Sequence, residues 1–163
     1  MSSWGAFADA RPDMAKLLLE ILEWIPIAYL ATVTSDGAPR MHPVCPIITE
    51  GRMFVAVAAI SPKRLDLKRD GRYAMHALPG KWREVNGQTR GDDEFYITGV
   101  ARRVEDAETR RLITETANHE IRESDWLFEF DIERAMTAYW EKVGQPGTYA
   151  VRQYWHAPIN GGG

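Results

Sequence analysis

The sequence predicts a mainly β domain with peripheral helices, an α+β class. Three observations carry that prediction. Between residues 28 and 60, three short runs rich in β-branched and aromatic residues are separated by the turn signals Ser35-Asp36-Gly37 and Glu50-Gly51. Residues 126–132 alternate, with Trp126, Phe128 and Phe130 on one face and Leu127, Glu129 and Asp131 on the other. Long helical patterns are confined to 12–24 and 106–118.

Composition narrows the function classes. At 163 residues the chain is long enough for one domain with a real core, taken here as 1–163. A net charge of −3 argues against a polyanion-binding surface. Cys45 is the single cysteine, so no internal disulfide forms, and a reducing, cytoplasmic setting is expected. His42, His76, His119 and His156 are scattered without zinc-ligand spacing, so no metal site is expected. No apolar run reaches membrane-spanning length and the N-terminus lacks a signal-peptide pattern.

Taken in order, residues 1–11 are small and polar and are expected to be mobile. Pro12 opens a helix to Trp24, with Met14, Leu17, Leu18, Ile21, Leu22 and Ile25 forming one apolar stripe. A membrane-surface helix is the rival reading. Asp13, Lys16, Glu20 and Glu23 on the polar face oppose it, because anionic lipid repels their acidic balance. Ala28 to Thr34 is the first strand. Arg40 to Thr49 is the second, bulged or on an edge because Pro43 and Pro46 cannot donate to a ladder. Met53 to Ile60 is the third. A short helix is expected from Pro62 to Arg69, with Ser61 as its cap and Leu65 facing in. Tyr73 to Ala77 is a fourth strand.

The stretch 78–92 then reads as a long polar excursion around Trp82: a lid or partner contact over a ligand, or a plain surface loop. Asp93 to Val104 is a fifth strand, and Asp106 caps a helix to about Asn118. The sixth strand is 126–132. Residues 135–141, a turn region at Gly144, Pro146 and Gly147, and Thr148 to Trp155 follow, with 159–163 expected to be mobile.

Ser61-Pro62-Lys63-Arg64 carries the most chemistry. A helix start offers free N–H groups, Ser61 adds a hydroxyl, and Lys63 and Arg64 add two positive charges. Arg40 lies on the preceding hairpin, where it can come alongside. Together these suit a phosphate. A capped surface helix with solvated cations remains the alternative.

The run Thr32-Val-Thr-Ser-Asp-Gly-Ala-Pro-Arg-Met-His-Pro-Val44, the strand at 53–60 and Ser61-Pro62-Lys63-Arg64 resemble the pyridoxamine 5′-phosphate oxidase-like family. The resemblance covers about residues 25–103 well and the last third loosely. It implies a six-stranded antiparallel split β-barrel of Greek-key type that binds FMN as a homodimer, with the cofactor at the subunit interface. It assigns the FMN phosphate to Arg40, Ser61, Lys63 and Arg64. It places Met41, His42, Val44, Val57 and Ala58 along the flavin ring and Glu94 beside it, where the family usually has an uncharged amide. Trp140 and Arg152 match the aromatic residue and cation that a second subunit supplies. A backbone N–H from 41–44 is expected at the flavin N5. No residue stands out as an obligatory acid: His42 reads as a strand residue and Cys45 as a small core residue.

The same resemblance separates cofactor from substrate. Where the oxidase proper grips substrate with an Arg-x-His motif and a lysine, this sequence has Thr148, Ala150 and Cys45. A phosphate monoester substrate finds no replacement cations there. The expected function is therefore an FMN-dependent oxidoreductase with a less charged, unidentified small-molecule substrate. Two rivals keep the fold. One uses the deazaflavin F420, with Arg64, Lys68, Arg69 and Arg72 as a groove for its acidic tail, interrupted by Asp66 and Asp70. The other is a non-catalytic flavin- or haem-binding protein.

Overall fold

The computed structural model describes residues 1–77, 83–85 and 87–158. Among the described residues, nine strands and four helices form the fold. The strands are β1 (Ala28–Val33), β2 (Pro39–Val44), β3 (Ile47–Thr49), β4 (Arg52–Val57), β5 (Arg72–Ala77), β6 (Arg83–Val85), β7 (Gln88–Val104), β8 (Trp126–Glu141) and β9 (Tyr149–His156). The helices are α1 (Trp4–Ala10), α2 (Pro12–Trp24), α3 (Lys63–Arg69) and α4 (Ala107–Thr116). All pairings are antiparallel, in the order β2-β1-β5-β7-β8-β4-β3, with β6 on β7 and β9 on β8.

The antiparallel split-barrel architecture is present, but the expected six strands are exceeded, and two causes are visible. Pro46 interrupts the 40–49 segment, so β2 and β3 become separate strands at opposite ends of the sheet order. Only Cys45 and Pro46 join them, so the two sheet edges meet there and the sheet curls into an open barrel. In addition, β7 and β8 run for 17 and 16 residues, longer than any strand the sequence suggests. Each therefore serves two partners along one edge. Residues 126–129 of β8 pair with β4, and 134–141 pair with β9. The gap between is filled by the N-terminus: Ser2 and Ile132 exchange two backbone hydrogen bonds of 2.8 Å.

The 1–11 segment, expected to be mobile, is seated on the sheet by that contact. Ser3 caps α1, and Trp4 and Phe7 are buried, with Phe7 edge-on to Trp155 at 5.0 Å and to Phe95 at 6.0 Å. The apolar stripe of α2 lies on the same inner face, with Met14, Leu18 and Ile21 buried among β-strand side chains. On the opposite side α4 covers a second cluster, where Ile113 packs with Ile47, Phe54 and Leu127. Asp106 caps α4 as expected, accepting from the Thr109 N–H at 2.7 Å. The expected excursion 78–92 is partly strand, since β6 and the start of β7 form a hairpin around Gly87. Trp82 and the 159–163 tail lie outside the described residues. Among the described residues no helix is long and apolar enough to cross a membrane, and no group of His, Cys, Asp or Glu is placed to hold a metal ion.

Candidate functional site

The β1–β2 hairpin brings the first candidates together. Its register sets Arg40 opposite Thr32, His42 opposite Leu30 and Val44 opposite Ala28. All six side chains are on the inner face, where Arg40 and His42 are half-buried and Val44 is buried. Met41 alternates to the outer face and is 67% exposed.

Helix α3 packs against β1 beside these residues, and it differs from expectation. It begins at Lys63 rather than Pro62, and no side chain caps it. Pro62 already has helical angles, which moves the cap position past Ser61. Ser61 makes no side-chain hydrogen bond among the described residues. Leu65, expected inside, is 50% exposed, while Asp66 and Leu67 are the buried members of the helix. A seven-residue helix has one narrow inward stripe, and Asp66 occupies it.

Asp66 is held in three ways. Its Oδ2 accepts the Thr32 hydroxyl at 3.0 Å and lies 3.4 Å from Arg40 Nη1, while its Oδ1 is 3.6 Å from Arg69 Nη1. Arg69 also donates to the Val33 carbonyl. Two buried nitrogens beside this cluster, Arg40 Nη1 and His42 Nε2, make no hydrogen bond among the described residues. Burial pushes the His42 pKa down. The nearby charges of Lys63 and Arg40 push it the same way, against Asp66, so the imidazole is neutral at pH 7. Burial also lowers the Lys63 pKa, with Cys45 nearby opposing it. Lys63 makes no ion pair among the described residues.

Arg64 turns away from this cluster. It donates to the Ala59 carbonyl and sits 4.6 Å from the centre of the Trp126 ring. Arg103 covers the same ring at 3.9 Å and Lys68 at 5.7 Å. Val57 is fully buried in the core, while Ala58 is exposed at the end of β4.

The remaining candidates lie elsewhere. Glu94, Ala138 and Arg152 are cross-strand neighbours on the outer face of β7, β8 and β9. Glu94 Oε2 is 3.7 Å from His76 Nε2. Trp140, 36% exposed, pairs with Gly91 and Ala150. Arg152 lines a cavity of about 420 Å³ with Tyr96, Arg134, Met136, Tyr154 and His156. The two groups occupy opposite faces of the sheet. One chain does not bring Trp140 and Arg152 to Arg40 and Lys63.

No family model and no curated protein matches the sequence. Solved structures do match. A haem-binding protein from Mycobacterium smegmatis aligns at TM-score 0.59 and 19% identity, over 86% of this chain and 58% of that one. The chain thus spans little more than half the length of that protein. A haem storage protein from Vibrio cholerae aligns at TM-score 0.56 and 18% identity, over 71% of this chain and 87% of that one. A candidate pyridoxamine 5′-phosphate oxidase from Listeria innocua aligns at 0.52 and 18%, over 74% and 94%. The fold is the split barrel. At these identities the likeness fixes the architecture alone.

Within that split barrel, sequence reasoning missed the buried role of Asp66 and Thr32. Asp66 looked like an interruption in a basic run. The one available signal was its position three residues after Lys63 and adjacent to Leu67, on the stripe that must face the sheet.

Proposed function

We propose that the chain binds a phosphate-bearing flavin, FMN in the leading reading, in the pocket between β2 and α3, and works as a flavin-dependent oxidoreductase in a homodimer. The observation that carries this is Arg40: a buried guanidinium nitrogen that makes no hydrogen bond and only a 3.4 Å ion pair with Asp66, near His42, which Lys63 also approaches with no ion pair of its own among the described residues. Unmatched buried donors are costly, and a phosphate oxygen is the acceptor that suits them. The residues present thus fit the group. Lys63, Arg40 and the Ser61 hydroxyl hold the phosphate, and the backbone of Met41 and His42 borders the ring. Arg64, folded onto Trp126, reaches the ligand only by leaving that ring.

When bound, the flavin supplies hydride transfer. The chain's own contribution is to bind, orient and exclude water. Neutral His42 lines the pocket without adding charge. Trp140 and Arg152 meet the flavin only if they come from a second copy. The outer sheet face, where Met41, Tyr29 and Tyr154 are exposed, is a suitable surface for that copy.

Absorption and mass spectra of the purified protein, with FMN and riboflavin titrations, test this. Lys63→Ala and Arg40→Ala should each weaken FMN about 10- to 100-fold and leave riboflavin binding unchanged. Colourless protein that takes up no flavin, or unchanged FMN affinity in both variants, overturns the reading. The deazaflavin F420 in the same pocket is the variant of this reading that keeps the redox chemistry. A second reading, non-catalytic haem binding, is favoured by two of the structural relatives, which are a haem-binding and a haem storage protein. Haemin titration separates it: a shifted Soret band without NAD(P)H-driven turnover supports a haem carrier.

A further inference from the structure

The cavity of about 420 Å³ on the outer face of β7, β8 and β9 lies within one chain, and strand register explains its make-up. Tyr96 on β7, Met136 on β8 and Tyr154 on β9 stand opposite one another, in one row across the three strands. Residues on one face of a strand recur every second position. The row on one side therefore sets Arg134 opposite His156, and the row on the other sets Arg152 opposite Ala138. Two phenol rings and a thioether thus lie between two guanidinium groups. The volume falls in the range of small-ligand sites, about 300–1,000 Å³.

The β9 wall of this cavity is fixed. Arg11 Nη1 donates to the Tyr154 carbonyl at 3.2 Å, and its Nη2 donates to Gln153 Oε1 at 3.1 Å. The Ala157 N–H donates to the Glu133 carbonyl at 2.8 Å. A wall already in place lowers the ordering cost of binding. Tyr154 is nevertheless 63% exposed, so its ring offers apolar surface to a ligand.

The two arginines differ in charge balance. Arg134 lies 3.7 Å from the Glu133 carboxylate, with both side chains more than half exposed, so each offsets the other. Arg152 makes no hydrogen bond or ion pair among the described residues. Glu94, on the row of Arg152, faces His76 at 3.7 Å instead. One positive charge is left over at the cavity, and it sits on Arg152.

We propose that this cavity binds a planar aromatic ligand carrying one negative charge, an aromatic carboxylate. The ring lies against Tyr96, Met136 and Tyr154, where offset or edge-on contacts with the phenols and the Met136 sulfur hold it. The carboxylate accepts from Arg152, whose planar fork suits it. The site goes beyond the flavin reading. It gives Arg152 a use within its own chain, in place of the flavin contact that a second copy would bring it.

Equilibrium dialysis of 2-naphthoate and its neutral amide, 2-naphthamide, at pH 7 tests this on wild type, Arg152→Gln, Arg134→Gln and Tyr154→Ala. All three residues are exposed, so the variants leave the core intact. Naphthoate should bind wild type about five- to tenfold more tightly than the amide. Arg152→Gln should remove that gap and Arg134→Gln should keep it. Tyr154→Ala should weaken both probes alike, because it removes ring contact and leaves the charge. Equal binding of the two probes, binding of neither, or a gap that survives in Arg152→Gln overturns the proposal. A gap lost equally in Arg134→Gln overturns it too. Displacement of naphthoate by FMN would show that Arg152 serves the flavin, and an affinity that falls as protein concentration rises would show that a second copy covers the cavity. Either result also overturns the proposal.

Discussion

Gly99 decides which face of β8 carries Trp140, and replacing it with alanine tests that geometry. The β7–β8 register shifts between Thr98 and Gly99: Thr98 pairs with Arg134, but Gly99 pairs with Ile132, leaving Glu133 as the extra residue. Before the bulge, Phe128, Phe130 and Ile132 point into the core. After it, Ala135 and Thr137 point inward, so Arg134, Met136, Ala138 and Trp140 take the outer face. Without the extra residue, Trp140 would turn toward the core.

A Cβ on Gly99 would lie 1.9 Å from the Asp131 carbonyl oxygen and 3.1 Å from the Glu133 nitrogen. Both are backbone atoms, so the strands must separate by more than 1 Å. Overpacking of this kind costs about 1–3 kcal/mol. One or two weakened ladder hydrogen bonds add about 1 kcal/mol each. Gly99→Ala is therefore expected to lose about 3 kcal/mol or more by these terms, read as a shift of the urea midpoint at constant slope. Gly37→Ala is the control: its Cβ meets nothing within 4 Å, and only its φ of +87° is strained, for about 1 kcal/mol. A Gly99→Ala loss no larger than that of Gly37→Ala would refute the close approach, and with it the account of how Trp140 and Arg152 come to share the outer face.

Other predictions concern charge and assembly. The folded-state pKa of His42 is depressed, so the unfolded chain takes up its proton first as pH falls. Its contribution to stability is complete above the ordinary histidine value near 6.5 and declines below it. His42→Phe should flatten thermal stability between about pH 6.5 and 5, and an unchanged slope would count against the burial. Glu129 forms a bidentate pair with Arg52, at 2.8 and 2.7 Å, which lowers its pKa. That stability is present above the ordinary glutamate value near 4.5 and is lost as pH falls through the depressed one. Glu129→Gln should cost about 1–2 kcal/mol at pH 7 and progressively less as pH falls through the depressed value, measured by denaturant titration. Met41→Arg on the exposed outer face should shift a dimer to monomer in sedimentation without unfolding the chain. A dimer of unchanged affinity would place the interface elsewhere.

Local signals in the sequence were faithful wherever neighbouring residues settle the structure. Asp36-Gly37 fixes the β1–β2 hairpin, and Gly37 indeed has a positive φ. The stripe from Met14 to Ile21 fixes α2, and Asp106 fixes the start of α4. Because the hairpin and the short helix are close in sequence, the meeting of Arg40, His42 and Lys63 was legible too. The misses in the N-terminus and in the long strands depend on distant chain. Helix α1 is only seven residues long, and Phe7 finds its aromatic partners Phe95 and Trp155 on the distant strands β7 and β9. The lengths of β7 and β8 exceed any local pattern, since each half is stabilised by a different partner strand.

Asp66 shows why a site's residues can be legible while its electrostatics are not. Between Leu65 and Leu67 in a basic run, an aspartate reads as a solvated spacer. The backbone turns Leu65 outward instead and places the carboxylate under Thr32, where it accepts a hydroxyl and faces two guanidinium groups. The cations predicted from sequence are all present, yet their usable charge is set by one buried acid and by an indole that holds Arg64 aside. A phosphate site therefore cannot be graded by counting its arginines and lysines. What grades it is how each cation is already engaged: Arg40 Nη1 makes no hydrogen bond but faces Asp66 at 3.4 Å, and Lys63 has no ion pair among the described residues.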